Sequence, residues 1–277
     1  MKTLITGSDG QIGRELVELV KDHELLLIDK KSGTDLNDKR VQDKIAEFKP
    51  ESVFHLAGSY ERLEESKGFD EINWADNMLA TQNLLGCVGN PKSFVFASSY
   101  LVYQAPMHHN DYAKASGAVP IYEAQPLDPR NLIGASKMWA ERAIDFRLRD
   151  SLVSHARIFR VYSRESRCFL NTFALIKKNN GRANLYNPES VFDLIHAKDV
   201  AVALYCLMDS GARGTYNIGT GVGTRVQDIV MLMGLETVRA LDHDSFERSY
   251  AATGKIKSLC GWEAKIKIAD GVKELMA

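Results

Sequence analysis

Short apolar runs alternate with amphipathic stretches from the first residues of the chain. Thr3 to Thr6, Glu24 to Asp29, Ser52 to Leu56, Ser93 to Ala97 and His155 to Val161 read as strands, separated by segments of helical period. In the first helix Ile12, Leu16, Leu19 and Val20 share one stripe. Leu25 to Ile28 is apolar at every position, as a strand covered on both faces requires. Alternation of this kind predicts βαβ units and an α/β fold built on a doubly wound parallel sheet. The least regular stretch, Gln104 to Arg130, holds Pro106, Pro120, Pro126 and Pro129, and a loop of that length inside a compact domain is usually functional.

Composition narrows the class. The chain has 277 residues, 45% of them apolar, with 35 Lys+Arg against 36 Asp+Glu. Scattered charges of both signs give no basic stripe for a phosphate backbone, so nucleic acid is not an expected partner. The apolar runs Leu25 to Ile28 and Ile229 to Met233 fall far short of the roughly 18 residues that cross a bilayer, and no charged-then-apolar leader precedes Leu4. A cytoplasmic protein without a membrane partner is expected. Cys87, Cys168, Cys206 and Cys260 lie far apart without a CxxC pair and read as reduced core residues. His108 and His109 adjoin in a polar loop with no third ligand at helical spacing, so no metal is expected.

Chemistry enters at Gly7-Ser8-Asp9-Gly10-Gln11-Ile12-Gly13, between the first strand and the first helix. Gly7 permits a tight turn, Gly10 lets the backbone approach a pyrophosphate, Gly13 lets helix and strand pack closely, and the helix N-terminus offers free N–H groups to an anion. Asp29 ends the second strand, where a carboxylate accepts the ribose hydroxyls of an adenosine. That carboxylate would repel a 2′-phosphate and favours NAD, while Lys30 and Lys31 keep NADP open.

These residues resemble the extended short-chain dehydrogenase/reductases, which include NAD-dependent nucleotide-sugar epimerases and dehydratases. The GxxGxxG spacing is matched by Gly7, Gly10 and Gly13; Asp35-Leu36 is similar to the acidic-Leu pair beside the adenine. Val53-Phe54-His55-Leu56-Ala57-Gly58 is similar to a strand-end motif lining the cofactor, and Asn77 falls on the family's structural Asn. Phe94 to Tyr103 resembles the strand ending in the catalytic Ser or Thr, in a register that puts Ser99 at that position. Glu123 to Pro129, Gly134 to Lys137, Arg157 to Tyr162, Phe192 to His196 and Tyr216 to Gly219 follow in family order. The resemblance implies a Rossmann-type fold with NAD held by Gly7, Gly10, Gln11, Ile12, Gly13, Asp29, Lys30, Asp35, Leu36, Leu56, Ala57, Gly58, Asn77, Ser98, Lys137, Phe159 and Val161. It also implies catalysis by Ser99 and Lys137 on a sugar or nucleotide-sugar. The expected division is an NAD-binding domain over residues 1–160, rejoined by strands near 191–200 and 215–219, and a smaller, mainly substrate-binding lobe over 161–277.

Two departures qualify the resemblance. The family's proton-transferring Tyr lies four residues before the Lys, and that position holds Ile133. Phe192 stands where many relatives have an Arg that clasps the substrate diphosphate, and Arg160 could supply a replacement cation. Tyr100, directly after Ser99, is the expected substitute proton donor and substrate contact, with Tyr103 and Tyr122 as rivals. A tyrosine restored at position 133 is expected to fit a cleft wall with little strain. Two functions follow: an NAD-dependent sugar oxidoreductase, epimerase or dehydratase with an atypical active site, or a degenerate NAD-binding relative serving as a sensor or partner subunit. The helices around Asn77 to Leu85 and Met138 to Phe146 resemble a family dimer pair, so a homodimer is a further expectation.

Overall fold

A computed structural model describes residues 1–59, 68–104, 117–239 and 247–277. Six parallel strands form its centre: β1 (Lys2–Thr6), β2 (Glu24–Ile28), β3 (Ser52–His55), β4 (Ser93–Ser99), β6 (Leu152–Ile158) and β10 (Gly214–Ile218). Their order is β10-β6-β4-β3-β1-β2. The chain therefore leaves β1 toward β2 on one side and returns to β3 on the other. A crevice opens at that reversal, outside the carboxyl ends of the strands.

Helices cover both faces, as the doubly wound reading requires. On one face α1 (Gln11–Leu19) packs on α7 (Ala197–Asp209), burying Leu16 and Val20 against Val200 and Leu204. On the other, α2 (Lys39–Phe48), α4 (Ala80–Cys87) and α5 (Leu132–Arg147) bury Val41, Ile45, Leu84, Ala140 and Ile144. Each of these Val, Leu and Ile side chains contributes about 1.5–3 kcal/mol on full burial. Leu19 departs from the expected stripe and is 45% exposed, because it lies a 100° helical step short of Val20. Leu27 is 40% exposed because β2 is the outermost strand and has a neighbour on one side only. The four cysteines are free and half-buried, each packed against the edge of a core cluster.

The strand Val191–His196 (β9) does not rejoin the main sheet. It pairs with β7 (Arg160–Tyr162) and β11 (Gly223–Arg225) in a sheet of order β11-β9-β7, while β10 takes the place beside β6. Its burial at every position but Phe192 could serve either sheet, and the antiparallel pairing with β11 decides the outcome. A third short sheet joins β5 (Val119–Ile121) to β13 (Ser249–Ala251), and a fourth joins β8 (Ala183–Leu185) to β12 (Thr237–Arg239). A cluster including Tyr100, Val102, Ile133, Phe159 and Ala251 fills the space beneath the crevice. Among the described residues no helix is long and apolar enough to cross a membrane.

Candidate dinucleotide and sugar site

The glycine loop leaves no room for side chains. Gly7 holds φ +75°, and a Cβ there would come within 2.7 Å of the Ala57 nitrogen; a Cβ on Gly13 would come within 2.2 Å of the Gly7 carbonyl oxygen. Gly10 caps α1 with no side-chain hydrogen bond, so the first N–H groups of the helix remain open to an anion. Asp29 faces this loop: its Oδ2 accepts from the Asp9 N–H at 3.0 Å and its Oδ1 from the Lys31 N–H at 2.8 Å. Each oxygen retains lone-pair capacity for a ribose hydroxyl. Lys30, which kept the phosphorylated cofactor open, is paired with Asp76 and with Asp35 at 3.3 Å and offers no free charge to a 2′-phosphate. Lys31 reaches the Asp9 carbonyl at 3.3 Å.

A cavity of about 300 Å³ runs along the loop and is lined by every expected residue from Gly7 to Gly58: Gly7, Gly10, Gln11, Ile12, Gly13, Asp29, Lys30, Asp35, Leu36, Leu56, Ala57 and Gly58. Lys31, Thr34, Asp76 and Ala97 line it as well. Thr34 carries no motif, yet its hydroxyl accepts from the Asp29 N–H at 2.8 Å.

Deeper in the crevice, Asn77 sits on a π-helical turn, Trp74–Leu79, a distortion common at functional sites. Its Nδ2 donates to the Ser59 carbonyl at 3.1 Å, while its buried Oδ1 has no hydrogen-bond partner among the described residues and lies where a Cβ on Gly58 would meet it at 2.5 Å. A chain of hydrogen bonds fixes this turn: Thr6 Oγ1 and His55 Nδ1 at 2.7 Å, His55 Nε2 and Thr81 Oγ1 at 2.9 Å, then the Thr81 hydroxyl to the Asn77 carbonyl at 2.7 Å. Burial, with Lys137 nearby, pushes the His55 pKa down to about 3, so the ring is neutral near pH 7. His55 was visible in the sequence only as part of a strand motif.

Lys137, on the second turn of α5, is half-buried, with its Nζ donating to the Ala97 carbonyl at 2.9 Å and resting 4.8 Å from the Phe96 ring centre. Burial draws its pKa down to about 8, opposed by Glu141. An orphaned amide oxygen, a glycine cradle, a ribose-facing carboxylate and this ammonium form a donor and acceptor set that fits NAD.

Strand alternation separates the two serines at the end of β4. Ala97 lines the cavity, and Ser99 shares its side of the strand, with Oγ accepting from the Leu101 N–H at 3.2 Å and its own proton still to donate. Ser98, expected at the cofactor, turns away and donates to Glu141 Oε1 at 2.5 Å, which also holds Arg157 through two hydrogen bonds of 3.0 and 2.7 Å. Phe159 is buried and stacks on Tyr100 with ring centres 4.9 Å apart; Val161 packs against the main core.

Ile133 is 4% exposed within the cluster beneath the crevice, one turn before Lys137. The segment is clamped there, since a Cβ on Gly134 would lie 2.3 Å from the Leu101 carbonyl oxygen. The site is thus a packed interior rather than the open wall expected for a restored tyrosine. Tyr100 is 1% exposed, with its hydroxyl donating to Glu247 Oε2 at 3.4 Å. Arg160 donates to the same oxygen at 3.0 Å and stacks 3.9 Å from the Phe192 ring centre. Among the rivals, Tyr103 is spent on Asn217 at 2.7 Å, and Tyr122 is exposed. His108 and His109 lie outside the described residues. Among the described residues no cluster of His, Cys, Asp or Glu could hold a metal ion.

Comparison with known proteins agrees with this geometry. The UDP-glucose 4-epimerase of Mycolicibacterium smegmatis is 24% identical over 315 aligned positions, spanning 98% of this chain and 96% of the relative. The spore coat polysaccharide biosynthesis protein SpsK of Bacillus subtilis is 24% identical, over 85% of this chain and 81% of its own. The structure of MoeE5 in complex with UDP-glucose and NAD superposes with a TM-score of 0.82 at 25% identity, over 100% of this chain and 97% of that one. Residues 3–219 match the NAD dependent epimerase/dehydratase family, and the chain belongs to that family.

Proposed function

We propose that the protein is an NAD-dependent epimerase, dehydratase or oxidoreductase acting on a nucleotide-sugar, with an active site that works without the family tyrosine. The observation that carries this reading is the retained pair at the crevice: Lys137 half-buried with Nζ at the Ala97 carbonyl, and Ser99 on the same side of that strand as the cavity-lining Ala97. A bound NAD supplies hydride acceptance and return. Lys137 orients the cofactor and holds positive charge beside it. Ser99 donates its hydroxyl proton to the oxygen of the reacting carbinol or carbonyl. Tyr100 stands next to Ser99 with its phenol between Arg160 and Glu247, and we assign it the proton exchange that Ile133 cannot perform. Arg160 supplies a cation for substrate binding. We place the NAD-binding part within residues 1–160 together with β10, and most substrate contacts in the remainder. A homodimer through α4 and α5 is part of the same proposal, supported by Trp74 at 54% and Phe146 at 72% exposure on or beside those helices.

Product analysis after incubation with UDP-, dTDP-, GDP- and ADP-sugars tests the reading. One of these should be converted by the native protein and not by Lys137→Met. Tyr100→Phe should cut turnover by about 10²–10⁴, the worth of a positioned general acid or base, with NAD affinity nearly unchanged. A protein that binds NAD and a sugar but converts none is the non-catalytic sensor or partner subunit, which the buried Ile133 favours.

A further inference from the structure

A second polar cluster lies beside the crevice. Arg130, in the turn before α5, places Nη1 3.2 Å from Glu247 Oε1, and Arg160 holds Glu247 Oε2 at 3.0 Å. The side chains are 8%, 22% and 12% exposed for Arg130, Arg160 and Glu247. Two guanidinium groups thus face one carboxylate. Arg248, the next cation, is paired with Glu189 at 3.4 Å. Among the described residues, Nε and Nη2 of Arg130 and the Nε of Arg160 are buried without a hydrogen-bond partner, and the Arg130 Nη1 contact with Glu247 is an ion pair outside hydrogen-bond geometry. Leaving so many donors of a buried cation unsatisfied is costly, and a planar fork of this kind matches a carboxylate. The ring of Tyr100, whose backbone adjoins Ser99, lies 5.2 Å from the Arg130 guanidinium and carries its hydroxyl to the same Glu247. Among the described residues the cluster thus carries one more positive charge than negative, and it is tied through Tyr100 to the end of β4, where Ser99 precedes Tyr100 in the chain.

We infer that Arg130 and Arg160 form a receptor for a carboxylate on the substrate's sugar, with Glu247 as the built-in counter-ion that holds the two arginines apart in its absence. The inference rests on the sugar-enzyme reading above and narrows it to acidic sugars of the uronate class. A sugar carboxylate takes the unused donors of Arg130 and the Nε of Arg160, and the cluster then balances at two positive and two negative charges.

The test is calorimetric titration of the NAD-loaded protein with two matched pairs: UDP-glucuronic acid against UDP-glucose, and methyl glucuronide against methyl glucoside, which carries no nucleotide. The acid should bind roughly tenfold or more tightly than its neutral partner, the worth of hydrogen bonds to a buried charge. Arg130→Gln should erase that preference while leaving UDP-glucose and UDP affinity unchanged. Glu247→Gln, which removes the competing carboxylate, should widen it, and so keeps the test open if an arginine variant folds poorly. A preference present only for the glycosides supports the receptor and removes the nucleotide from the proposed function. Equal affinity in both pairs overturns the inference. So does a preference that survives Arg130→Gln or narrows in Glu247→Gln, and so does an Arg130→Gln loss shared by UDP, which would place that arginine on a diphosphate.

Discussion

Asp29 accepts two backbone N–H groups and also lines the cavity, so its carboxylate fastens the loop, and we propose that it contacts the cofactor ribose as well. Asp29→Ala should weaken NAD by about 1–3 kcal/mol, the cost of losing a hydrogen-bonded charged partner, and calorimetry should show NAD bound more tightly than NADP by the native protein. His55 sets a pH dependence. Its folded pKa of about 3 lies below the ordinary 6.5, so the unfolded chain takes up a proton that the folded chain refuses. Stability from this group is whole above pH 6.5 and falls as the pH drops from 6.5 toward 3. Thermal melts across that window should show the acid-side slope reduced in His55→Gln. Motif residues such as Gly7 and Asp29 were legible because backbone strain and a ribose contact each demand one residue type. Thr34 and the Thr6-His55-Thr81 chain were not, since hydroxyls and a buried imidazole at separations of 26 and 49 residues leave no local pattern.

The element that decides the chemistry is α5. Its first turn is pressed against the Leu101 backbone at Gly134, and its next turn carries Lys137 into the crevice. Ile133→Tyr should therefore overpack the cluster of Tyr100, Val102 and Phe159 and destabilise the protein by about 1–3 kcal/mol, measured by chemical denaturation. An unchanged midpoint would mean that the added ring finds the crevice instead. The strands and the helices between them were legible from the alternation of periods 2 and 3.6. Membership of β9 was not, because its partners β7 and β11 are short and an apolar strand pattern does not name its neighbour. The outer position of β2 was hidden for the same reason: Leu25 to Ile28 reads as doubly covered, yet nothing in its composition reveals that the sheet ends there.

Across the whole molecule, the crevice between the main sheet and the β7-β9-β11 side brings a dinucleotide cavity, Ser99 and Lys137, and the Arg130-Arg160-Glu247 cluster to one edge. If α4 and α5 also form a dimer face, Phe146→Glu should lower the sedimentation coefficient to that of a monomer without changing NAD binding. Sequence placed the cofactor cavity because its motifs are local. It left the arginine cluster unseen, since Arg130, Arg160 and Glu247 meet only through the fold. The most direct test is fluorescence of bound NADH after mixing NAD-loaded protein with the converted nucleotide-sugar. NADH should appear on the native protein and be lost in Lys137→Met, whereas a native protein that holds NAD and the sugar together and never forms NADH would contradict the account.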